Sequence, residues 1–528
     1  MFYHLYLSLP IKQIKLPLKD ELSNILKIDF TILKKSLDAR RKGQIKLNIT
    51  VKAELNDKKL KQLKYICNKI TIIHPPPLLE ERGTGGEAKP LTTHHSPLII
   101  GTGPSGLFCA LRLLDHGVTS TLIEQGNQIE ERAKKVQEFW QNGKLDLKSN
   151  VQFGEGGAGT FSDGKLTTSK NNLNIEYILK KFQEWGAPEE ILYDSKPHIG
   201  TDQLQKVIIN LRNYLISKGC TIKFNSEATD FVIKDNSIKE IIVNNEDAIP
   251  TEIVVLAIGN SSRKLFKLLH KYKVAMQVKN FAVGFRVEHP QKLIDKIQYG
   301  KDAGHSALPP ADYKLTFNKN NFGIYSFCMC PGGKVIAATS ETEKSVTNGM
   351  SIFARNSGFA NSALVVSVNQ EFLSKLDGPK ELRGLLFQEI LEKKTFELGG
   401  NNYFAPAQRL TNYLENKTES SPINCTYNPG IVNQNLNKIL PEELNSALKE
   451  GIRFFDQKMK GFITQEAVLI GTETRTSSPI TIERTKHGNS LNTLNLFPCG
   501  EGAGYAGGIM SSALDGIQIA DNIAKQHF

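Results

Sequence analysis

The sequence has no run approaching the ~20 apolar residues that a membrane-spanning helix needs, and Met1 to Lys12 lack a basic start and a long apolar segment. The expectation is a cytoplasmic protein. Cysteine is scarce as well: seven in 528 residues, irregularly spaced and odd in number, which makes no disulfide framework and fits a reducing compartment. Internal repeats and sizeable low-complexity tracts are missing, which excludes a repeat architecture. What is left, 40% apolar and 23% charged, is the balance of a soluble globular chain long enough for two or three domains.

The formal net charge of +12 is unevenly placed. Residues 1–95 carry 18 Lys and Arg against 9 Asp and Glu, three quarters of the excess. A basic module of this kind suits a polyanion such as RNA. No stacking aromatics interleave with Lys58, Lys59, Lys61 and Lys64, however, and no nucleic-acid motif is present, so a solvated face is the favoured reading.

The most informative stretch is Leu98-Ile-Ile, then Gly101-Thr102-Gly103-Pro104-Ser105-Gly106, a helical run through Ala110, and Thr121-Leu-Ile-Glu124. It spells the strand, turn, helix and second strand of a dinucleotide-binding unit. Gly101 allows the tight turn, Gly103 has no side chain to block a pyrophosphate, and Gly106 lets the helix pack closely. Phosphates would sit on free N–H groups at the helix start. Glu124 follows Gly106 by 18 positions, where its carboxylate can accept from ribose hydroxyls. An acid there repels a 2′-phosphate, which favours FAD or NAD over NADP.

Two later segments bear on that choice. Ile253 to Gly259, with Ala257, is a buried-strand run closing on glycine, and Leu496 to Gly504, with Gly500 and Glu501, precedes an apolar helix ending near Ile523. In this arrangement the chain resembles the two-dinucleotide-binding-fold flavoproteins. The resemblance implies FAD, a flavin ribityl contact at the late acid (Glu501 in place of the commoner Asp), an adenine contact at Ala228, and N–H groups of Gly507, Gly508 and Ile509 that stabilise the reduced ring. Phe153 to Leu166, Phe327 to Gly333 and Gly500 to Ile509 narrow it to a bacterial family of uncharacterised FAD-dependent dehydrogenases, from about Ser36 to the end.

Gly154 to Gly159 also fits G-x-G-x-x-G, but Gln152 precedes it instead of a strand and Thr160 opens no helix. A glycine loop lying against a flat ligand, through Gly154, Gly157 and Thr160, is the better reading. Because no second complete strand, triplet and helix exists, NAD(P)H as a reductant would bind transiently in an open cleft.

The division that follows is a basic N-terminal α+β module at 1–74, a Pro- and Gly-rich linker at 75–95, a Rossmann-like three-layer FAD-binding domain at 96–264 and 466–528, and an inserted mixed α+β substrate domain at 265–465. In the first module Phe2–Leu9 and Ile45–Leu55 alternate as strands around helix-like stretches from Asp20 to Leu37. Farther on, Thr201 or Asp202 reads as the cap of a helix. The expected activity is transfer of a hydride or electron pair between FAD and an organic substrate, with a flavin-dependent RNA-modifying protein and a non-catalytic flavin sensor or assembly protein as alternatives.

No catalytic residue is singled out. Asp163, Lys165, Arg286, Glu288, His289, Glu473 and Arg475 are charged positions beside the glycine loop, after a strand or before the last segment. The pair Cys328 and Cys330 before Pro331-Gly-Gly suits a redox-active, metal-binding or structural turn, and without a second pair or a His at finger-like spacing no metal is expected.

Overall fold

The computed structural model describes residues 1–73, 96–169, 171–418 and 420–528. The linker expected at 75–95 lies outside the described residues.

The alternating segments at the start form a four-stranded antiparallel sheet in the order Thr31–Asp38, Lys46–Glu54, Phe2–Pro10, Lys69–Ile72. Alternation puts Leu5, Leu7, Ile49 and Val51 in the core while Lys46 and Lys52 face out. The helix expected from Asp20 to Leu37 is corrected: it stops at Leu26, where Lys27 turns left-handed, and Thr31–Asp38 is a strand. Ile32, Leu33 and Leu37 suit either period, and pairing with Lys46–Glu54 decides between them.

The dinucleotide motif lies in a five-stranded parallel sheet, in the order Leu496–Pro498, Val254–Leu256, Leu98–Ile100, Thr121–Ile123, Thr221–Lys223. Leu496–Pro498, Val254–Leu256 and Leu98–Ile100 are buried on both faces, and the edge strand Thr221–Lys223 is the exposed one. Ile99, Leu122, Val255 and Phe497 pack on the helices Pro104–Asp115, Gly200–Ser217 and Ile509–His527. Leu98, Ile100, Val254 and Leu256 pack on a three-stranded antiparallel sheet, Ala228–Lys234, Ser237–Val243 and Asp247–Pro250. The result is three layers, as a parallel sheet buried on both sides requires.

A seven-stranded sheet follows in the order Thr316–Lys319, Phe322–Cys330, Phe359–Val368, Phe281–Pro290, Val468–Glu473, Ala405–Arg409, Ile431–Asn433. Two boundaries shift here. Val468–Glu473, expected with the returning cofactor piece, pairs with Phe281–Pro290 in this sheet, and the strand expected from Tyr313 begins at Thr316, where pairing with Tyr325 starts. The helix at Gly200 is not capped by Thr201 or Asp202. Thr201 donates instead to the carbonyl of Thr160, and Asp202 accepts from the Phe353 N–H at 2.8 Å.

Candidate cofactor and substrate cavity

All four of these sheets contribute to the wall of a cavity of about 1430 Å3. Its inner end is a cradle of backbone. Gly101 turns off the first strand with φ +103°, and a Cβ there would lie 2.4 Å from the Ala257 carbonyl oxygen, so only glycine fits. At Gly106 a Cβ would meet the Gly101 carbonyl oxygen at 2.0 Å. Gly103 differs. A Cβ there meets only the Gly157 Cα, at 3.9 Å, so its open side faces the cavity.

Gly259, Gly507 and Gly508 are equally open, with nothing within 4 Å of an added Cβ. Gly103 and Gly508 are the N-caps of the helices Pro104–Asp115 and Ile509–His527, and neither start has a side-chain cap. Two helix starts with unsatisfied N–H groups thus converge on one space, which is what a pyrophosphate requires.

Of the residues expected to touch the cofactor, Gly101, Gly103, Pro104, Ser105, Glu124, Gly154, Gly157, Ala228, Ala257, Gly259, Glu501, Gly507, Gly508 and Ile509 line the cavity. Thr102, Gly106, Thr160 and Gly500 stand behind it. Thr102 gives its N–H and hydroxyl to Glu124 at 3.1 and 2.9 Å. The other oxygen of Glu124 accepts from the N–H groups of Gly126 and Gly154 at 3.1 and 3.0 Å. Glu124 therefore ties the first glycine turn to the second glycine loop, a duty beyond the ribose contact its spacing suggests.

That loop rests on Arg132, which is fully buried and donates to the carbonyls of Asn150, Val151 and Glu155 at 2.9, 2.9 and 2.5 Å. Nothing in the sequence marks Arg132, one of several charged residues on the helix Ile129–Asn142.

Among the charged candidates, Asp163, Lys165, Glu473 and Arg475 reach the cavity. Burial alone would raise the Asp163 carboxyl, but Lys165 at 3.0 Å and Arg355 at 2.6 Å outweigh it and hold the group well below the carboxylate range. Glu473 is pushed up to about 7 by burial, against the pull of Arg286 at 2.8 Å. Burial likewise brings Glu501 to about 7, opposed by Lys279 and by a 2.8 Å bond from Asn260. Arg475 is clamped by Glu392, which also holds Arg263.

Glu288 and His289 turn elsewhere. The Nε2 of His289 pairs with the Phe462 carbonyl at 2.9 Å inside the core, and Glu288 accepts from the N–H and hydroxyl of Thr426. Burial lifts Glu288 to about 7 from an ordinary 4.5. The native protein thus keeps a proton that the unfolded chain releases, so this group costs stability as pH climbs through that window. The expected result is that Glu288→Gln, which cannot titrate, gains on the order of 3 kcal/mol over wild type between pH 5 and pH 8. Denaturation midpoints measured at those two pH values check it; an unchanged gap refutes it.

The outer wall comes from the basic module. Leu16, Leu37 and Leu47 line the cavity with Lys15 and Lys35. Lys35 is stitched to the cofactor side: its N–H bonds the Tyr193 carbonyl at 2.7 Å, its carbonyl accepts from Ser195 at 2.9 Å, and its Nζ lies 3.0 Å from Asp194. Lys58, Lys61 and Lys64 do point to solvent.

The open glycine faces, the two uncapped helix starts and the buried acid fit an adenine dinucleotide, and the volume exceeds the ~300–1,000 Å3 of common ligand pockets, which leaves room for a second molecule. Among the described residues no helix is long and apolar enough to cross a membrane.

Comparison with known proteins agrees with this geometry. The family model described as FAD-dependent protein, C-terminal domain-like, matches residues 280–476. A protein of Clostridium beijerinckii, named only as an uncharacterized protein, is 41% identical over 537 residues, covering 98% of this chain and 99% of its own, the basic module included. Among solved structures, CtdE in complex with FAD is similar at 12% identity and a TM-score of 0.32, over 82% of this chain and 84% of its own. A geranylgeranyl bacteriochlorophyll reductase-like protein of Thermoplasma acidophilum gives 11% and 0.33, over 82% and 78%. At those scores the structural likeness bears on nothing further. The near full-length relative and the matched domain show that the chain belongs to a family of FAD-dependent flavoproteins.

Proposed function

We propose that the protein is an oxidoreductase that passes a hydride or an electron pair between FAD and an organic molecule bound in the outer part of the cavity. The observation that carries this reading is the continuity of one space from the backbone cradle at Gly103 and Gly508 to the charged side chains of Glu473 and Arg475. Residues 96–264 and most of 466–528 form the cofactor unit in this reading, and the seven-stranded sheet with its helices forms the substrate side.

The flavin supplies two-electron chemistry. The chain supplies position and electrostatics. N–H groups at the start of Ile509–His527 stabilise negative charge next to Gly507 and Gly508. Glu473 and Glu501, both brought to about 7, are able to hold or release a proton at neutral pH. Asp163, Lys165 and Arg355 form a closed ion cluster that fixes one wall. The apolar side chains of the N-terminal sheet exclude water from the other.

The purified protein is expected to absorb at about 375 and 450 nm, the general flavin bands. Anaerobic mixing with NADH, NADPH and a metabolite panel then identifies a compound that bleaches the longer band. A bound flavin that no compound reduces or reoxidises overturns the proposal.

A further inference from the structure

Cys328 is the one cysteine on the wall of the cavity among the described residues, and Cys330 lies directly behind it, fully buried. Residues two apart on a strand share a face, about 6.6 Å apart when extended, which is close to the upper limit of ~6.8 Å between Cα atoms for a disulfide. The strand is not extended here. Its pairing with Phe359–Val368 skips from Phe327 to Cys330, and Cys328 adopts a left-handed φ of 45°. Within this bulge the Cys330 thiol turns back on its neighbour and donates to the Cys328 carbonyl oxygen at 3.2 Å.

Two cations hold the bulge. Lys165 donates to the Met329 carbonyl, and Arg286 donates to the Cys328 carbonyl at 2.8 Å. The neighbouring Cys330 side chain, followed by the charges of Lys165 and Arg286, lowers the Cys328 thiol, while the nearness of Cys328 and burial raise Cys330. A thiolate-prone, accessible sulfur backed by a buried thiol is the arrangement of a reactive pair, whereas an inert cysteine is buried alone. A left-handed cysteine in a bulge held by the buried Arg286 and the partly exposed Lys165 is local strain beside the cavity, the kind that collects at functional sites.

We propose that Cys328 and Cys330 are a redox-active pair, dithiol in one state and disulfide in the other, that exchanges an electron pair with the flavin in the same cavity. The inference rests on the oxidoreductase reading above. Oxidation of the pair breaks two S–H bonds and forms one S–S bond. Both electrons and one proton go to the oxidised flavin, and the second proton leaves to solvent through the cavity; the reverse step regenerates the dithiol.

The test uses the holoenzyme, oxidised with diamide and freed of excess reagent, then titrated anaerobically with dithionite. Wild type is expected to take up about four electrons per flavin and Cys328→Ser about two, since each couple carries two. Trypsin releases Asn320–Lys334, which contains these two cysteines and no others. In the oxidised holoenzyme this peptide should be about 2 Da lighter and resist alkylation, and after titration it should take two alkyl groups. Uptake of only two electrons by wild type, or a peptide alkylated on both sulfurs before titration, overturns the pair while leaving the flavin reading intact. A flavin that takes up none defeats that reading instead. Cys330→Ser, with flavin absorbance as the check on folding, serves should Cys328→Ser fail to fold, and it is also expected to take up about two.

Discussion

Replacing Gly103 by valine should abolish FAD uptake and leave the fold standing. The reason is where the new atoms go. At Gly103 an added Cβ finds only the Gly157 Cα, at 3.9 Å, and the isopropyl group projects into the space beside the uncapped start of Pro104–Asp115. A pyrophosphate needs that same space and those N–H groups. We expect the affinity for FAD to drop by at least ~100-fold, about 2.7 kcal/mol, with a denaturation midpoint close to that of apoprotein wild type. Flavin fluorescence titration and chemical denaturation measure the two quantities separately. Gly106→Ala is the contrasting variant. Its Cβ would press on the Gly101 carbonyl oxygen at 2.0 Å, so stability and FAD binding should be lost together. Gly103→Val binding FAD normally removes the cradle as the cofactor site.

Truncating Glu392 should destabilise the protein more than any surface charge change. Its carboxylate is wholly inaccessible and binds Arg263 at 2.6 and 2.8 Å, Arg475 at 2.9 and 3.2 Å and the Thr474 hydroxyl at 2.6 Å. Burial opposes its ionisation, yet the two guanidinium groups hold it well below the carboxylate range. Removing one partner of a buried pair leaves the other uncompensated, at about 3–5 kcal/mol. Here two arginines are left sharing the one carboxylate of Glu341, with the Ser340 hydroxyl on Arg475, among the described residues. Glu392→Ala is therefore expected to cost about 3–5 kcal/mol in urea denaturation. The exposed pair Lys19 and Glu189, 2.9 Å apart, is the control, and losing it should cost less than about 1 kcal/mol. Equal costs would mean that the network is not what holds this side of the cavity.

These two residues also show what a sequence discloses and what it hides. Gly103 is legible because its neighbours in the chain, a short apolar strand before it and a helix after it, are its neighbours in space as well. The same holds for Gly106, whose added Cβ would meet the Gly101 carbonyl five residues back, while the bond from Glu124 to the Gly154 N–H, 30 residues on, left no local sign. Glu392 is illegible: it sits mid-helix in Arg383–Leu398, and its partners come from positions 263 and 475. Arg355 meets Asp163, and Arg286 meets Glu473, across comparable gaps. Periodicity carries no trace of such pairings. Thr31–Asp38 was ambiguous for another reason, because eight residues are too few to separate the two periods before a partner strand is known. The charge excess of the first module pointed outward correctly for Lys58, Lys61 and Lys64, but it said nothing of the opposite side of that sheet.

That opposite side limits how the chain can be cut. Leu5, Leu7, Val51 and Leu63 belong to the same continuous apolar cluster as Phe285, Leu364 and Leu448 of the seven-stranded sheet and its helix. A gene trimmed to begin at Pro97 would thus yield an unroofed chamber with a bare oily flank, a body prone to clump with its own copies, even though every glycine of the nucleotide elbow were still in place.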